Sequence, residues 1–183
     1  MERQEALDLV KKHVKNKNLI KHMLATEAVM RALARRLGED EELWGLAGLV
    51  HDVDYDETAK SPERHSLVGG ALLRDLGLPG ELVHAVEAHN QCHGIPRASR
   101  LDKALYAVDP LTGLIVAAAL IHPEKKLSAI DVPFIMHRFK ESSFARGANR
   151  DQIKACSELG IGLEEFIGIG LEAMQGISGE LGL

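Results

Sequence analysis

The chain has 183 residues, 45% hydrophobic and 27% charged, with a formal net charge of −5 and only 4% aromatic residues. That length supports one compact core, and the acidic balance argues against a general nucleic-acid binder, which carries an electropositive footprint. Two cysteines, Cys92 and Cys156, form no CxxC pair, so neither a thiolate zinc knuckle nor a disulfide framework is expected, and a cytoplasmic setting follows.

Helical periodicity governs the chain from its start. Ala6, Leu7, Val10 and Val14 form a stripe over residues 3–15. That charged, amphipathic segment lacks the apolar centre of a signal peptide. Leu19, Met23, Val29, Met30, Leu33 and Leu37 recur at steps of three and four over 18–37, and Gly38 stops the helix. Asp40 caps a third helix, apolar from Leu43 to Val50 and therefore placed deep in the core. Residues 54–64 read as an acidic loop ending in Ser61-Pro62. A fourth helix is expected over His65–Leu76 and a fifth over Glu81–His89, followed by loop from Gln91 to Ser99. A long apolar helix then runs from about Leu101 to Ile121, interrupted at Pro110, because proline removes a backbone donor and biases Asp109 away from helical geometry. Its most apolar part, Leu111–Ile121, is too short for a bilayer, which needs about 20 residues, so no membrane association is expected. Helices near 132–140, 149–158 and 163–175 complete the chain, and the Gly-rich tail after Met174 is expected to fray. No alternating strand pattern occurs, so the expected fold is all-α in a single domain.

Nine histidines are present. His51-Asp52 ends the buried third helix, His22 lies in the second, His65 opens the fourth and His89 closes the fifth. Asp109 sits in an apolar run, where an unpaired carboxylate is costly and a cation is a natural partner. Imidazole with carboxylate suits zinc, iron or manganese. His84 precedes His89 by five residues, about 140° around a helix, so both are not expected at one ion. Asp54 and Asp56 follow the pair, either near the ion or in a solvated loop. The segment 137–152 carries Arg138, Lys140, Arg146 and Arg150 against the acidic background. Lys140 and Arg146 are candidates for holding phosphate, as is His93 in the nearby loop. Lys103, six residues before Asp109, is a further cation candidate.

The ordered set His22, His51-Asp52, His65, His89 and Asp109 resembles the HD superfamily of metal-dependent phosphohydrolases. So do the stretches LIKHMLATEAVMRALARRLG, LWGLAGLVHDVDY, HSLVGGALL, VEAHN and LDKALYAVDP. The likeness is greatest to a group of bacterial predicted HD hydrolases, and the ligand pattern is similar to that of HD-type diadenosine tetraphosphate hydrolases. It implies an HD-type helical bundle with a metal-binding core over about 18–120 and a C-terminal helical extension over about 125–176. By the same resemblance His22, His51, Asp52 and Asp109 hold one ion, and Asp52 bridges to a second held by His65 and His89. A dinuclear site of Fe, Mn or Zn is preferred over a single ion. Val53-Asp54 stands where the HDIG variant has Ile-Gly, and Asn90 where some members have a further histidine. The implied activity is hydrolysis of a phosphoester or phosphoanhydride, nucleotide-like, by a metal-activated water, with Asp52, Asp54 and Lys103 as catalytic candidates. The implied partner is a small phosphorylated molecule and not a stable nucleic-acid complex; a homodimer is compatible with it. Two alternatives stay open at this point: a di-iron oxygenase on the same ligands, and a non-catalytic metal-stabilised binding or regulatory module.

Overall fold

A computed structural model describes residues 1–183. Eleven α-helices and three short 3-10 turns make up the regular structure, with no strand, so the all-α expectation holds. Helix α1 (Arg3–His13) is followed by α2 (Lys17–Leu37), capped by the Asn16 side chain on the backbone N–H groups of Asn18 and Leu19 and stopped by left-handed Gly38. Helix α3 (Glu41–Val50) starts at Asp40, whose side chain accepts from the Leu43 N–H. Its Gly48 lies directly on α2. A β-carbon there would stand 2.9 Å from the Thr26 and Glu27 backbone, so glycine is what lets the two helices approach closely. That approach carries His51, at the end of α3, onto His22 of α2.

The acidic stretch after Asp52 is more ordered than a loop. Residues Tyr55–Thr58 form a short helix, α4. Asp56 is not free in solvent: its Oδ2 accepts from the backbone N–H of Lys15 at 2.6 Å and of Asn16 at 3.2 Å, tying the α1–α2 turn to this segment. Helix α5 (Leu67–Asp75) begins two residues later than expected, since buried Ser66 takes φ 70°, outside helical geometry. This strained residue turns His65 away from the helix. Helix α6 (Gly80–His89) ends at the ligand candidate His89.

Helix α7 (Arg100–Ile121) opens with a capping box between Ser99 and Asp102 and corrects the expected interruption: it runs unbroken through Pro110. Buried packing on both sides of the proline, from Ala107 and Val108 to Leu111 and Leu114, offsets the lost backbone hydrogen bond. The uninterrupted helix is long and apolar enough to cross a membrane by length and composition, so the expectation that this segment is too short does not stand. Its most apolar window is nevertheless 67% buried inside the protein, where it packs against α2 and α6.

Helix α8 (Val132–Lys140) is capped by Asp131 and α9 (Arg150–Lys154) by Asn149. The expected helix over 149–158 is split, its second half being a 3-10 turn over Ala155–Leu159. Helix α10 (Leu163–Gln175) packs on α2, α7 and α8, so the last third joins the same hydrophobic core. The tail does not fray: α11 (Ser178–Leu181) buries Leu181.

Candidate metal centre

Four helices and one loop deliver the site: α2 brings His22, the end of α3 His51 and Asp52, the residue before Ser66 His65, the end of α6 His89, and the middle of α7 Asp109. Asp52 stands between two groups. Its Oδ2 lies 3.5 Å from His51 Nε2 and 3.7 Å from His22 Nε2. Its Oδ1 lies 3.3 Å from His65 Nε2 and 3.5 Å from His89 Nε2. Asp109 Oδ1 completes the first group, 3.1 Å from His22 Nε2 and 3.9 Å from His51 Nε2. Each triad, His22–His51–Asp52 and Asp52–His65–His89, is compact enough to hold an ion.

The four imidazoles are oriented from behind. His51 Nδ1–H donates to the Gly48 carbonyl at 2.8 Å and His89 Nδ1–H to the Val86 carbonyl at 2.6 Å. His65 Nδ1–H donates to Asp54 Oδ1 at 2.9 Å. His22 Nδ1–H meets the Thr112 hydroxyl at 3.0 Å, which in turn donates to the Asp109 carbonyl. Carbonyls and carboxylates only accept, so each ring carries a proton on Nδ1 and turns its Nε2 to the centre. With Nε2 unprotonated, this is the tautomer that ligates a divalent cation through Nε2.

The electrostatics match. Burial is the largest influence on His51 and lowers its pKa to about 4, so it is neutral at pH 7. Burial lowers the pKa of His65 too, but hydrogen bonds to Asp52 and Asp54 outweigh it and raise the value to about 10. His22 is likewise raised, Asp109 overcoming burial, while Asp52 and Asp109 are depressed, the facing imidazoles outweighing their burial. Cationic His65 is thus a counter-ion of the carboxylates in the metal-free protein, and its Nε2 proton occupies a position an ion would take.

Asp54, a catalytic candidate, is buried and fully engaged: besides His65 it accepts the Gly69 N–H at 2.7 Å. It is a positioning residue that aims His65. His93 Nε2–H donates to the His65 carbonyl at 2.6 Å and Asn90 Nδ2–H₂ to the carbonyls of Pro62 and His65, so both fix the His65 loop. His84 faces Asp102 at 3.1 Å, away from the centre. Lys103 lines neither cavity at the site; six residues from Asp109 is about 120° around the helix.

Two cavities reach the centre. One, about 370 Å³, is bounded by His22, Asp109, Gly113 and the loop residues Ala145, Gly147 and Ala148. The other, about 180 Å³, is bounded by His65, His89, Asp109 and the amides of Asn90, Gln91 and Gln152. Of the basic segment, Arg138 pairs with Glu141, and Arg150 is spent on structure, donating to six backbone carbonyls between Arg138 and Ala148. Lys140 and Arg146 are exposed, Arg146 standing between two residues that wall the first cavity. Sequence reasoning missed Thr112 and Gln152. Thr112, one turn after Asp109, is the one polar side chain between Pro110 and Ile121, which is the signal that marks it.

Comparison with known proteins points the same way. The family described as HD domain matches residues 19–120. The chain is similar to Ribonuclease Y of Oleidesulfovibrio alaskensis, 29% identical over 100 residues, which cover 54% of this chain and 18% of that protein. Ribonuclease Y of Desulfotalea psychrophila is 28% identical over 137 residues, 73% of this chain and 26% of that protein. Ribonuclease Y of Acidothermus cellulolyticus is 32% identical over 73 residues, 40% of this chain and 15% of that protein. The chain thus spans about a quarter or less of the length of these relatives. No solved structure matches it.

Proposed function

The chain belongs to the HD domain family, and from that premise we propose that it is a metal-dependent phosphohydrolase acting on a phosphoester or phosphoanhydride of a small, nucleotide-like substrate. The observation that carries the reading is the division of Asp52, whose two oxygens face different histidine pairs, an arrangement suited to bridging two ions. His22, His51, Asp52 and Asp109 would hold one and Asp52, His65 and His89 the other, with Mn, Fe or Zn compatible with the nitrogen–oxygen donor set. When bound, two such ions supply Lewis acidity and an activated water for in-line displacement at phosphorus.

The chain's own residues supply the rest. Anchored Nδ1 atoms keep the imidazoles from reorienting. Asp109, with its side chain 30% exposed and shared by both cavities, is the ligand that meets the substrate side. Gln91 and Gln152 offer amide donors to phosphate oxygens, and Arg146 is the cation of the wall segment within sequence reach of the first cavity. Neither cavity is lined by serine or cysteine, so no side-chain nucleophile is invoked.

A ribonuclease activity is the second reading, favoured by the name its relatives share. The net charge of −5 weighs against gripping a long polyanion. The test is hydrolysis by manganese-loaded protein across nucleoside mono-, di- and triphosphates, dinucleoside polyphosphates, bis(p-nitrophenyl) phosphate and an RNA oligonucleotide, with oxygen uptake followed in an iron-loaded sample. Small phosphates are expected to turn over, with activity lost in His51→Ala and Asp52→Ala. Preferential cleavage of RNA would select the second reading. Inertness to every phosphate together with oxygen uptake would replace both with oxygenase chemistry.

A further inference from the structure

Beside the metal centre lies a third opening, a groove of about 410 Å³ between α2 and α7. Asn18, Lys21, His22 and Ala25 line one side and Thr112, Gly113, Val116 and Leu120 the other, each set at the three-to-four spacing of one helix face. Where the helices would interlock side chains, Ala25 and Gly113 leave space instead. A β-carbon on Gly113 would meet nothing within 4 Å. Residues 181–183 close the far wall. The floor is apolar, and Leu120 is half exposed on it. Two polar side chains line the groove. Lys21 is half-buried and takes part in no ion pair. The Asn18 amide makes no hydrogen bond within the chain, since only its backbone N–H is used, at the helix cap. His22 and Gly113 also line the cavity at the metal centre, so the two spaces adjoin.

We infer that this groove seats the nucleoside part of the substrate, its base on the Ala25–Gly113–Val116 floor and Lys21 against an anionic oxygen. Three observations choose that occupant. The volume falls in the range of small-ligand sites, roughly 300–1,000 Å³. A floor of small residues is flat and suits a planar ring, while the Asn18 amide can both donate to and accept from a base edge. The unpaired, half-buried Lys21 ammonium, beside Gly182, supplies a cation within the groove for an anionic oxygen of the nucleotide. The inference rests on the phosphohydrolase reading for the site of the phosphate, but the groove's preference for a nucleoside can be measured without turnover.

The four ribonucleoside 5′-monophosphates and inorganic phosphate are titrated calorimetrically into the manganese-loaded protein and its Val116→Phe variant. Val116 lines the groove but not the cavity at the metal centre, and the variant's manganese stoichiometry verifies that it has folded. Leu120→Trp fills the same groove from the next turn, at a half-exposed position, should the first variant misfold. At least one nucleotide is expected to bind roughly tenfold or more tighter than inorganic phosphate, the scale of burying one apolar face. The filled groove should erase that difference while leaving phosphate affinity unchanged, and Lys21→Gln should weaken the nucleotide. Nucleotide and phosphate binding alike in the wild type, or an advantage that survives in both filled variants, overturns the inference. Groove-dependent binding without hydrolysis would instead remove the hydrolase reading and leave the groove assigned.

Discussion

Replacing Asp54 by asparagine should separate the two halves of the metal centre. The carboxylate is buried and accepts two hydrogen bonds, from His65 Nδ1–H at 2.9 Å and from the Gly69 N–H at 2.7 Å. An amide has one accepting oxygen and one donating nitrogen, so in Asp54→Asn one of those two donors must face another donor. An unsatisfied buried donor costs about 1–3 kcal/mol, and the metal-free variant should melt at a lower temperature accordingly. The larger consequence is local. His65 loses the partner that fixes its tautomer and ring plane, and such losses weaken a metal site about 10- to 100-fold, roughly 1.4–2.7 kcal/mol. His22 and His51 are held instead by Thr112 and the Gly48 carbonyl, neither of which Asp54 touches. Two-site manganese titration against a competing chelator should therefore show one affinity reduced and the other unchanged. Equal weakening at both sites, or none at either, would refute the assignment of Asp54 as a support for His65 alone.

Thr112→Val is the mirror experiment. It should weaken the His22 site about 10- to 100-fold and spare the His65 site, read by the same titration. Gly48→Ala forces a β-carbon to within 2.9 Å of the α2 backbone and should cost about 1–3 kcal/mol in denaturant unfolding. Because His51 rides on that contact, manganese binding should weaken as well. Arg150→Ala removes the donor to six carbonyls, two in the last turn of α8 and four in the wall loop. It should raise KM with metal stoichiometry unchanged, checked by steady-state kinetics and metal analysis. Thermal unfolding of the metal-free protein followed against pH should show an optimum to which His51 and His65 contribute from opposite sides. His51, lowered to about 4, contributes stability that is full above its unfolded value of 6.5 and lost as pH falls through 4. His65, raised to about 10, contributes stability that is full below 6.5 and lost as pH rises through 10. Metal binding must displace the Nε2 proton of His65, so calorimetry in buffers of different ionisation enthalpy should register proton release on binding.

Much of this was readable before the structure. Periodicity placed the core helices, because an apolar stripe at three-to-four spacing has one stable solution when a single core must be buried. The six ligand candidates were found by their order along the chain, and they meet because α2, α3, α6 and α7 pack around one another. What escaped depended on tertiary contacts. Pro110 reads as a break, yet the buried surroundings of α7 keep the helix whole. Asp54 and Asp56 look alike in sequence. One is buried under His65 and the other caps the α1–α2 turn, a distinction set by residues 11 and 41 positions away. In the basic segment the phosphate candidates Lys140 and Arg146 are exposed, while Arg150 is consumed by carbonyls. The cation lining the groove is Lys21, whose position shows only when α2 and α7 are side by side.

On the proposed reading Asp52 joins two ions, which metal stoichiometry decides. Manganese titrated into metal-stripped protein, with anomalous diffraction from the loaded crystal, should give two ions per chain. His65→Ala should leave one, and Asp52→Ala should disrupt both. A single ion per chain whose affinity is indifferent to His65→Ala and His89→Ala would contradict the account.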